Sequence, residues 1–279
     1  MSKYDRVIPQ KDPLDDKNLR KIISAKKDVE YLLDEIEYKY GVEILYASMV
    51  GSRVFGYHHK NSDYNIRFVY KKPLDEYLKV VRPREVLRLK QDQYEASGYD
   101  IRRFLHQHYL SNPLIYEMVE SPVKCRNDKI GFEELMSFDG NVLLKRFYQV
   151  AQHNYNKAHM EIPYKLRLVN VKRYLYSIRY ILMWNVLISQ KKSPPLTLKE
   201  LMMGNSHIGI DYIEFIVKFM DFYRNRGVGD IGYIELSNIN SWISNSLRYM
   251  RSTYPLRPSK RRDSYYYDKR FLDLVTQSL

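Results

Sequence analysis

The chain has 279 residues, of which 46 are Lys or Arg and 33 are Asp or Glu, so its formal net charge at neutral pH is +13. This length suffices to bury a sizeable core in one large or two small domains. Because the sequence has no run of about 18 consecutive apolar residues, no transmembrane helix is predicted. The single cysteine, Cys125, excludes an intramolecular disulfide and a cysteine-based zinc site.

The first predicted element is an amphipathic helix over 16–40, where apolar residues recur at helical spacing and Gly41 stands at the C-cap position. The next predicted elements, in chain order, are a strand at 42–50, a turn at 51–56, a strand at 63–70, a helical segment at 74–80 and a strand at 84–90. Asp100 then follows a short extended segment and precedes a helix, which Asn112-Pro113 ends.

After Cys125 the strand signals fade and long stretches of helical periodicity follow. These predicted helices cover 138–160, 164–190, 208–224 and 233–250. We therefore predict two domains: residues 1–130 with a mixed sheet backed by helices, and residues 131–279, which are helical and end in a basic tail.

A Gly-Ser turn, Gly51-Ser52, directly follows the first predicted strand. Such a turn can offer backbone N–H groups and one hydroxyl to a triphosphate. A polar loop and a second strand that begins with an acidic residue come next. The order of these parts indicates a metal-dependent nucleotidyl-transfer site.

The strand after this loop has one polar and one apolar face, because successive side chains of a strand alternate. The polar face carries Asp63, Asn65 and Arg67, and the apolar face carries Tyr64, Ile66 and Phe68. We expect the first face to carry chemistry and the second to enter the core.

This pattern resembles the DNA polymerase beta-type nucleotidyltransferase superfamily, whose signature is Gly-Ser, a spacer and Asp-x-Asp on a strand. More narrowly, the chain resembles the RNA-repair-pathway family of these nucleotidyltransferases. Two further blocks, at 97–105 and 111–123, resemble that family in the same order, and a weaker likeness includes 172–176. The resemblance covers roughly residues 42–180.

The resemblance implies an α/β (α+β) nucleotidyltransferase palm with a mixed sheet, followed by a C-terminal helical domain. It also implies two divalent ions, Mg²⁺ or Mn²⁺, that bridge the attacking 3′-hydroxyl and the nucleotide α-phosphate. The expected metal ligands and catalytic residues are Asp63, Asn65 and Asp100, with Asp100 also expected to be the base. Without the resemblance, Asp63 would be interpreted as capping a turn and Asp100 as capping the next helix.

The nucleotide is expected to contact the turn and the residues near it. Ser52 would hold the β- or γ-phosphate, and Gly51 would allow the backbone to approach closely. Arg53 and Arg67 would either contact phosphate or pair with the carboxylates and orient them.

Asn65 departs from the family pattern, which has a carboxylate there. Asparagine still offers a carbonyl oxygen, but hard cations are held largely by carboxylates and phosphates. The lost charge would cost about 3 kcal/mol, or about a hundredfold in rate. Either an engineered Asp-to-Asn change in an intact site or natural decay into a binding protein would explain Asn65.

Two basic clusters lie outside the palm. Lys172, Arg173 and Tyr176 lie on a predicted helix, where they would bind triphosphate or base or else form a solvated face. In the tail, Arg261 and Arg262 are the predicted RNA-binding residues, because the excess of positive charge favours a polyanionic partner.

We therefore expect transfer of a nucleotide from an NTP to an RNA end, such as that of a damaged tRNA. The alternatives are a toxin-like enzyme whose acceptor is a protein hydroxyl, and a catalytically degenerate nucleic-acid- or nucleotide-binding protein. No membrane partner is predicted. The charged N-terminus does not resemble a secretory signal, so the expected location is the cytoplasm of a bacterial or phage-infected bacterial cell.

Overall fold

Five strands form a mixed sheet in the computed structural model, which describes residues 16–160, 168–205, 207–226, 230–232, 236–253 and 262–276. The strands are β1 (Glu43–Val50), β2 (Tyr64–Lys71), β3 (Val86–Gln91), β4 (Tyr94–Asp100) and β5 (Lys124–Arg126). Their order in the sheet is β3-β4-β2-β1-β5. The β2–β4 pair is parallel and the other pairs are antiparallel, which confirms the predicted mixed sheet.

The helices that accompany the sheet include α1 (Asp16–Tyr40), α2 (Ser52–Phe55), α3 (Leu74–Leu78), α4 (Ile101–Tyr109) and α5 (Pro113–Val119). The bounds of α1 match the prediction. Gly41 ends α1 with φ +58°, a left-handed conformation that favours glycine.

The two faces of the sheet are covered differently. On the apolar face, Tyr94 donates a hydrogen bond of 2.6 Å to Asp28 of α1, and Phe68 lies so close to Gly98 that an added Cβ would be 2.1 Å from its ring. On the other face, Val69 belongs to a core cluster with Phe104 of α4 and other residues of α4 and α5. The N-terminal ends of β2 and β4 lie outside this cluster.

The remaining helices form a second unit. They are α6 (Gly140–Met160), α7 (Val171–Gln190), α8 (Leu198–Gly204), α9 (Ile210–Arg226) and α10 (Ser237–Thr253), with a two-stranded ladder of β6 (Leu168–Asn170) and β7 (Asp230–Gly232). This α+β composition confirms the predicted fold class. No helix in the described ranges is long and apolar enough to cross a bilayer.

The two units are not contiguous in sequence. The sheet unit lies within Leu14–Val54, Asp63–Asp139 and Lys260–Leu279, and the helical unit includes Phe55–Ser62 and Gly140–Ser259. The tail therefore groups with the sheet and not with the helices that precede it, unlike the division at 130/131 that the sequence suggested.

A final helix, α11 (Ser264–Thr276), completes the sheet unit. Tyr267, Leu274 and Val275 of α11 are buried in the core cluster beside α4. Lys71 at the end of β2 donates a hydrogen bond of 3.2 Å to the Leu274 carbonyl. Burial of this apolar face explains why the tail belongs to the sheet unit.

His108 gives the sheet unit a pH-dependent stability. Its ring is 3% exposed and lies 3.0 Å from the Tyr267 hydroxyl, and burial together with the Arg262 guanidinium lowers the pKa of His108 to about 3. The unfolded chain takes up a proton below its ordinary pKa of about 6.5, whereas the folded chain does not. The free energy of unfolding is therefore expected to fall as pH falls from about 6.5 toward 3, by up to about 1.4 kcal/mol per pH unit.

Urea unfolding at neutral pH and at pH about 5 tests this prediction. Between these values the native chain should lose about 2 kcal/mol more than His108→Gln, in which the titrating ring is absent. Carboxylates titrate in both proteins and cancel in the comparison. Equal losses would contradict the buried neutral state of His108.

Candidate functional site

The Gly-Ser turn and the polar face of β2 meet where the central strands of the sheet end, a region called the Gly-Ser edge below. β1 runs antiparallel to β2, with Val50 opposite Asn65, and β2 runs parallel to β4, with Asn65 opposite Glu95. The C-terminal end of β1 and the N-terminal ends of β2 and β4 therefore lie together. Neighbouring strands are about 4.8 Å apart, so the three positions lie within about 10 Å of one another.

The turn lies directly against the Asn65 side chain. Gly51 has φ +85°, and a Cβ added to it would lie 3.1 Å from Asn65 Nδ2. Only glycine therefore fits this position without strain or a close contact. Ser52 begins α2 and is buried, and the Val54 N–H donates a hydrogen bond of 3.0 Å to the Gly51 carbonyl.

The predicted alternation along β2 is confirmed. Tyr64, Ile66 and Phe68 are buried, while the residues on the polar face, Asp63, Asn65 and Arg67, are half-buried. The Asn65 amide donates a hydrogen bond of 3.4 Å to the Asp63 carbonyl.

Glu95 is the carboxylate that β4 brings to this edge. It is exposed, and its place in the parallel ladder puts it opposite Asn65 on the same face. The sequence analysis did not select Glu95. The alternation of buried Tyr94 and Ala96 with Glu95 and Ser97 marks the polar face, but the parallel register that sets Glu95 beside Asn65 is not visible in the sequence.

Asp100 lies elsewhere in the sheet unit. It pairs with Tyr70, whereas Glu95 pairs with Asn65, so Asp100 is about 17 Å along the strand from Asn65 and Glu95. Its carboxylate is 2% exposed, accepts hydrogen bonds from the Tyr77 hydroxyl at 2.8 Å and the Arg102 N–H at 2.9 Å, and caps α4. Burial raises the pKa of Asp100 despite these hydrogen bonds. The structure thus separates Asp100 from the residues with which the sequence analysis grouped it.

The two predicted phosphate-binding arginines have different surroundings. Arg53 is 7% exposed, and its guanidinium lies 3.8 Å from the centre of the Tyr64 ring. Burial lowers the pKa of Arg53, and the nearby charge of Asp63 acts in the opposite direction. Arg67 lies on the polar face and donates a hydrogen bond of 3.2 Å to the Tyr99 hydroxyl.

The edge offers a limited set of metal ligands. Asp63 and Glu95 supply carboxylates and Asn65 an amide oxygen, and among the described residues no group of three or more His, Cys, Asp or Glu side chains suits a metal ion. Mg²⁺ is commonly held by one or two carboxylates, with substrate phosphates and waters completing its shell. The donor set therefore fits a cation that is shared with a triphosphate.

Comparison with known proteins identifies the family of the chain. The family model described as RNA repair pathway DNA polymerase beta family matches residues 25–273. The chain belongs to that family. The resemblance noted in the sequence is thereby confirmed, and the match includes both the Gly-Ser edge and the helical unit of this polymerase beta family protein.

The chain is also similar to a protein of Bacillus subtilis (strain 168) named Uncharacterized protein YcgL. The two are 28% identical over 173 residues, which is 61% of this chain and 66% of the Bacillus protein. The chain thus covers slightly less than two thirds of that relative.

The α7 residues of this family member lie in the helical unit. Lys172 is exposed, and Arg173 and Tyr176 are half-buried. The Tyr176 ring contacts Phe55 and Tyr57 edge to face, with ring centres 6.2 and 6.1 Å apart. These aromatic residues closely follow the Gly-Ser turn in the chain.

The structure describes only one of the two tail arginines that were predicted to bind RNA. Arg261 falls outside the described residues. Arg262 donates hydrogen bonds to the carbonyls of His108, Tyr109 and Met136 at 2.6, 3.1 and 3.0 Å, and also to the Tyr267 hydroxyl. Its guanidinium thus joins the start of α11 to α4.

Proposed function

We propose that this chain transfers a nucleotide from an NTP to the 3′-hydroxyl of an RNA, with a divalent cation. One observation carries the proposal: a positive-φ Gly-Ser turn lies against Asn65 at the sheet edge where Asp63 and Glu95 also lie. Membership of the RNA repair pathway DNA polymerase beta family supports both the reaction type and the RNA acceptor.

The turn and the arginines would position the triphosphate. Backbone N–H groups at Gly51 and Ser52 approach the phosphates, since no side chain at Gly51 prevents it. Arg67, held by Tyr99, faces the same side of the strand and would orient the α-phosphate. Such positioning supplies most of the catalysis in phosphoryl-type transfer.

The carboxylates would act on the acceptor. Asp63, Asn65 and Glu95 would hold Mg²⁺ or Mn²⁺, which when bound neutralises charge that develops on the phosphates. Glu95, the exposed carboxylate of the three positions, would accept the proton of the attacking hydroxyl.

A second candidate function is nucleotide or RNA binding with little turnover. The amide of Asn65 favours this second function, because the family pattern has a carboxylate at this position. Without it, only the carboxylates of Asp63 and Glu95 remain at the edge. Both candidates share the same nucleotide site and differ in the rate of the chemical step.

The test is incubation of the chain with each α-labelled NTP, Mg²⁺ or Mn²⁺, and either total RNA or a protein lysate. Label in RNA that depends on the cation supports the proposed transfer. Label in a protein band would instead identify a protein acceptor. If both this chain and Asn65→Asp bind NTP without transferring it, the result would support the binding function instead.

A further inference from the structure

A cleft of about 560 Å³ lies beside α4 and α11, within the sheet unit and away from the Gly-Ser turn. Its lining includes the cationic side chains Arg82, Arg102 and Arg103 and the acidic side chains Glu85 and Asp268. A pocket of this size accommodates a ligand of nucleotide dimensions. No lining residue belongs to the Gly-Ser turn or to the polar face of β2.

One arginine of the cleft, Arg102, lies against two aromatic rings. The Arg102 guanidinium lies 4.9 Å from the centre of the Phe271 ring and 5.4 Å from that of Tyr77. Rings under a guanidinium hold its plane while the N–H groups stay available, which suits bidentate contact with phosphate.

Arg103 has an acidic neighbour that a phosphate could replace. Its Nη1 lies 3.7 Å from Glu85 Oε2, and the two side chains are 40% and 33% exposed. An ion pair this exposed contributes little to stability, so phosphate oxygens can readily replace the carboxylate. Arg82, at the rim, is exposed.

The cleft also presents rings for stacking. Tyr109 and His106, both in its lining, have ring planes 18° apart with centres 6.5 Å apart. Proteins that bind single-stranded nucleic acid combine such rings with cationic side chains that follow the backbone.

A row of contacts joins the cleft to the candidate active edge. Tyr99 accepts the hydrogen bond from Arg67, and the Arg103 guanidinium lies 5.9 Å from the Tyr99 ring centre. Arg67 is two residues from Asn65, or about 7 Å along the strand. An RNA strand bound in the cleft would therefore run past Arg103 and Arg67 toward the Gly-Ser edge.

We propose that this α4–α11 cleft binds the single-stranded segment of the acceptor RNA, with Arg82, Arg102 and Arg103 on its phosphates and Tyr109 against a base. The inference rests on the proposed function, because it names where the acceptor of that reaction lies. The proposed RNA-binding residues therefore lie on α4, on α11 and in the loop that contains Arg82 and Glu85, and not at Arg261 and Arg262.

The test measures binding of a short fluorescein-labelled single-stranded RNA in EDTA without NTP, so it does not depend on turnover. Arg82→Gln/Arg103→Gln is expected to weaken binding about tenfold and to make the salt dependence shallower by about 1.4 in log–log slope. The control Arg248→Gln/Arg251→Gln removes the same charge from two exposed positions of α10 and should change affinity far less.

A second variant has the opposite expected sign. Glu85→Gln removes the acidic neighbour of Arg103 and should tighten RNA binding. Thermal unfolding checks that each variant folds, and cross-linking of 4-thiouridine RNA to the unaltered chain should label Tyr109 or another cleft residue.

Equal losses in the two double variants, weaker binding by Glu85→Gln, or cross-links confined to other surfaces would overturn the proposal. None of these results bears on Asp63, Asn65 and Glu95. Conversely, an inactive edge with intact RNA binding would reject the proposed transfer and keep the cleft as a binding site.

Discussion

Replacing Asn65 by aspartate is expected to raise nucleotidyl transfer at least about tenfold. The position lies on the polar face of β2, opposite Glu95 and against the Gly51 turn. Aspartate has nearly the same shape as asparagine, so it adds a charged metal ligand and loses only the hydrogen bond of 3.4 Å that the Asn65 amide donates to the Asp63 carbonyl. Single-turnover transfer with saturating NTP and RNA, measured for both proteins, gives the ratio directly.

The control for this prediction is Asp63→Ala/Asn65→Asp. If the gain comes from a completed set of carboxylates, it should vanish when Asp63 is lost, and the activity should rise more steeply with Mg²⁺ for Asn65→Asp than for the native chain. Equal rates for the native chain and for Asn65→Asp, across all NTPs and both cations, would argue against a metal site at this edge.

In the Asn65→Asp protein, Asp63→Asn and Glu95→Gln are each expected to lower transfer by at least about a hundredfold. Each removes a ligating charge, and a loss of about 3 kcal/mol of transition-state stabilisation corresponds to that factor. Both carboxylates are at least partly exposed at the edge, so little loss of stability is expected.

Asp100→Asn in the same protein is the matched comparison. Asparagine caps helices nearly as well as aspartate, and Asp100 lies about 17 Å along the strand from Glu95. Transfer per folded molecule should stay within a fewfold of the parent, while chemical denaturation reports any change in stability. A rate for Asp100→Asn as low as that for Glu95→Gln would return Asp100 to the site.

Much of the fold follows from local patterns. The helical spacing over 16–40 and Gly41 predict α1, since an amphipathic face and a left-handed cap both depend on residues that are close together in sequence. The alternation around Asp63, Asn65 and Arg67 likewise predicts which side chains of β2 face the core, because a strand has a period of two.

The partner of Asn65 could not be predicted in this way. Choosing between Glu95 and Asp100 requires the register of β2 with β4, and this register depends on pairing between segments that are distant in sequence. Asp100 precedes a helix and resembles a functional carboxylate in sequence, while the structure gives it a capping role.

The sequence by itself determined the Gly-Ser turn and the polar face of β2, because each depends on residues that are close together along the chain, and it indicated the family through several short blocks in a fixed order. Only the tertiary structure decided that Glu95 joins the edge and that Arg262 donates its hydrogen bonds to α4 and its neighbours. It also decided that α11 returns to the sheet and forms a cleft with α4. These features depend on burial and pairing between segments far apart in sequence, which local spacing does not encode.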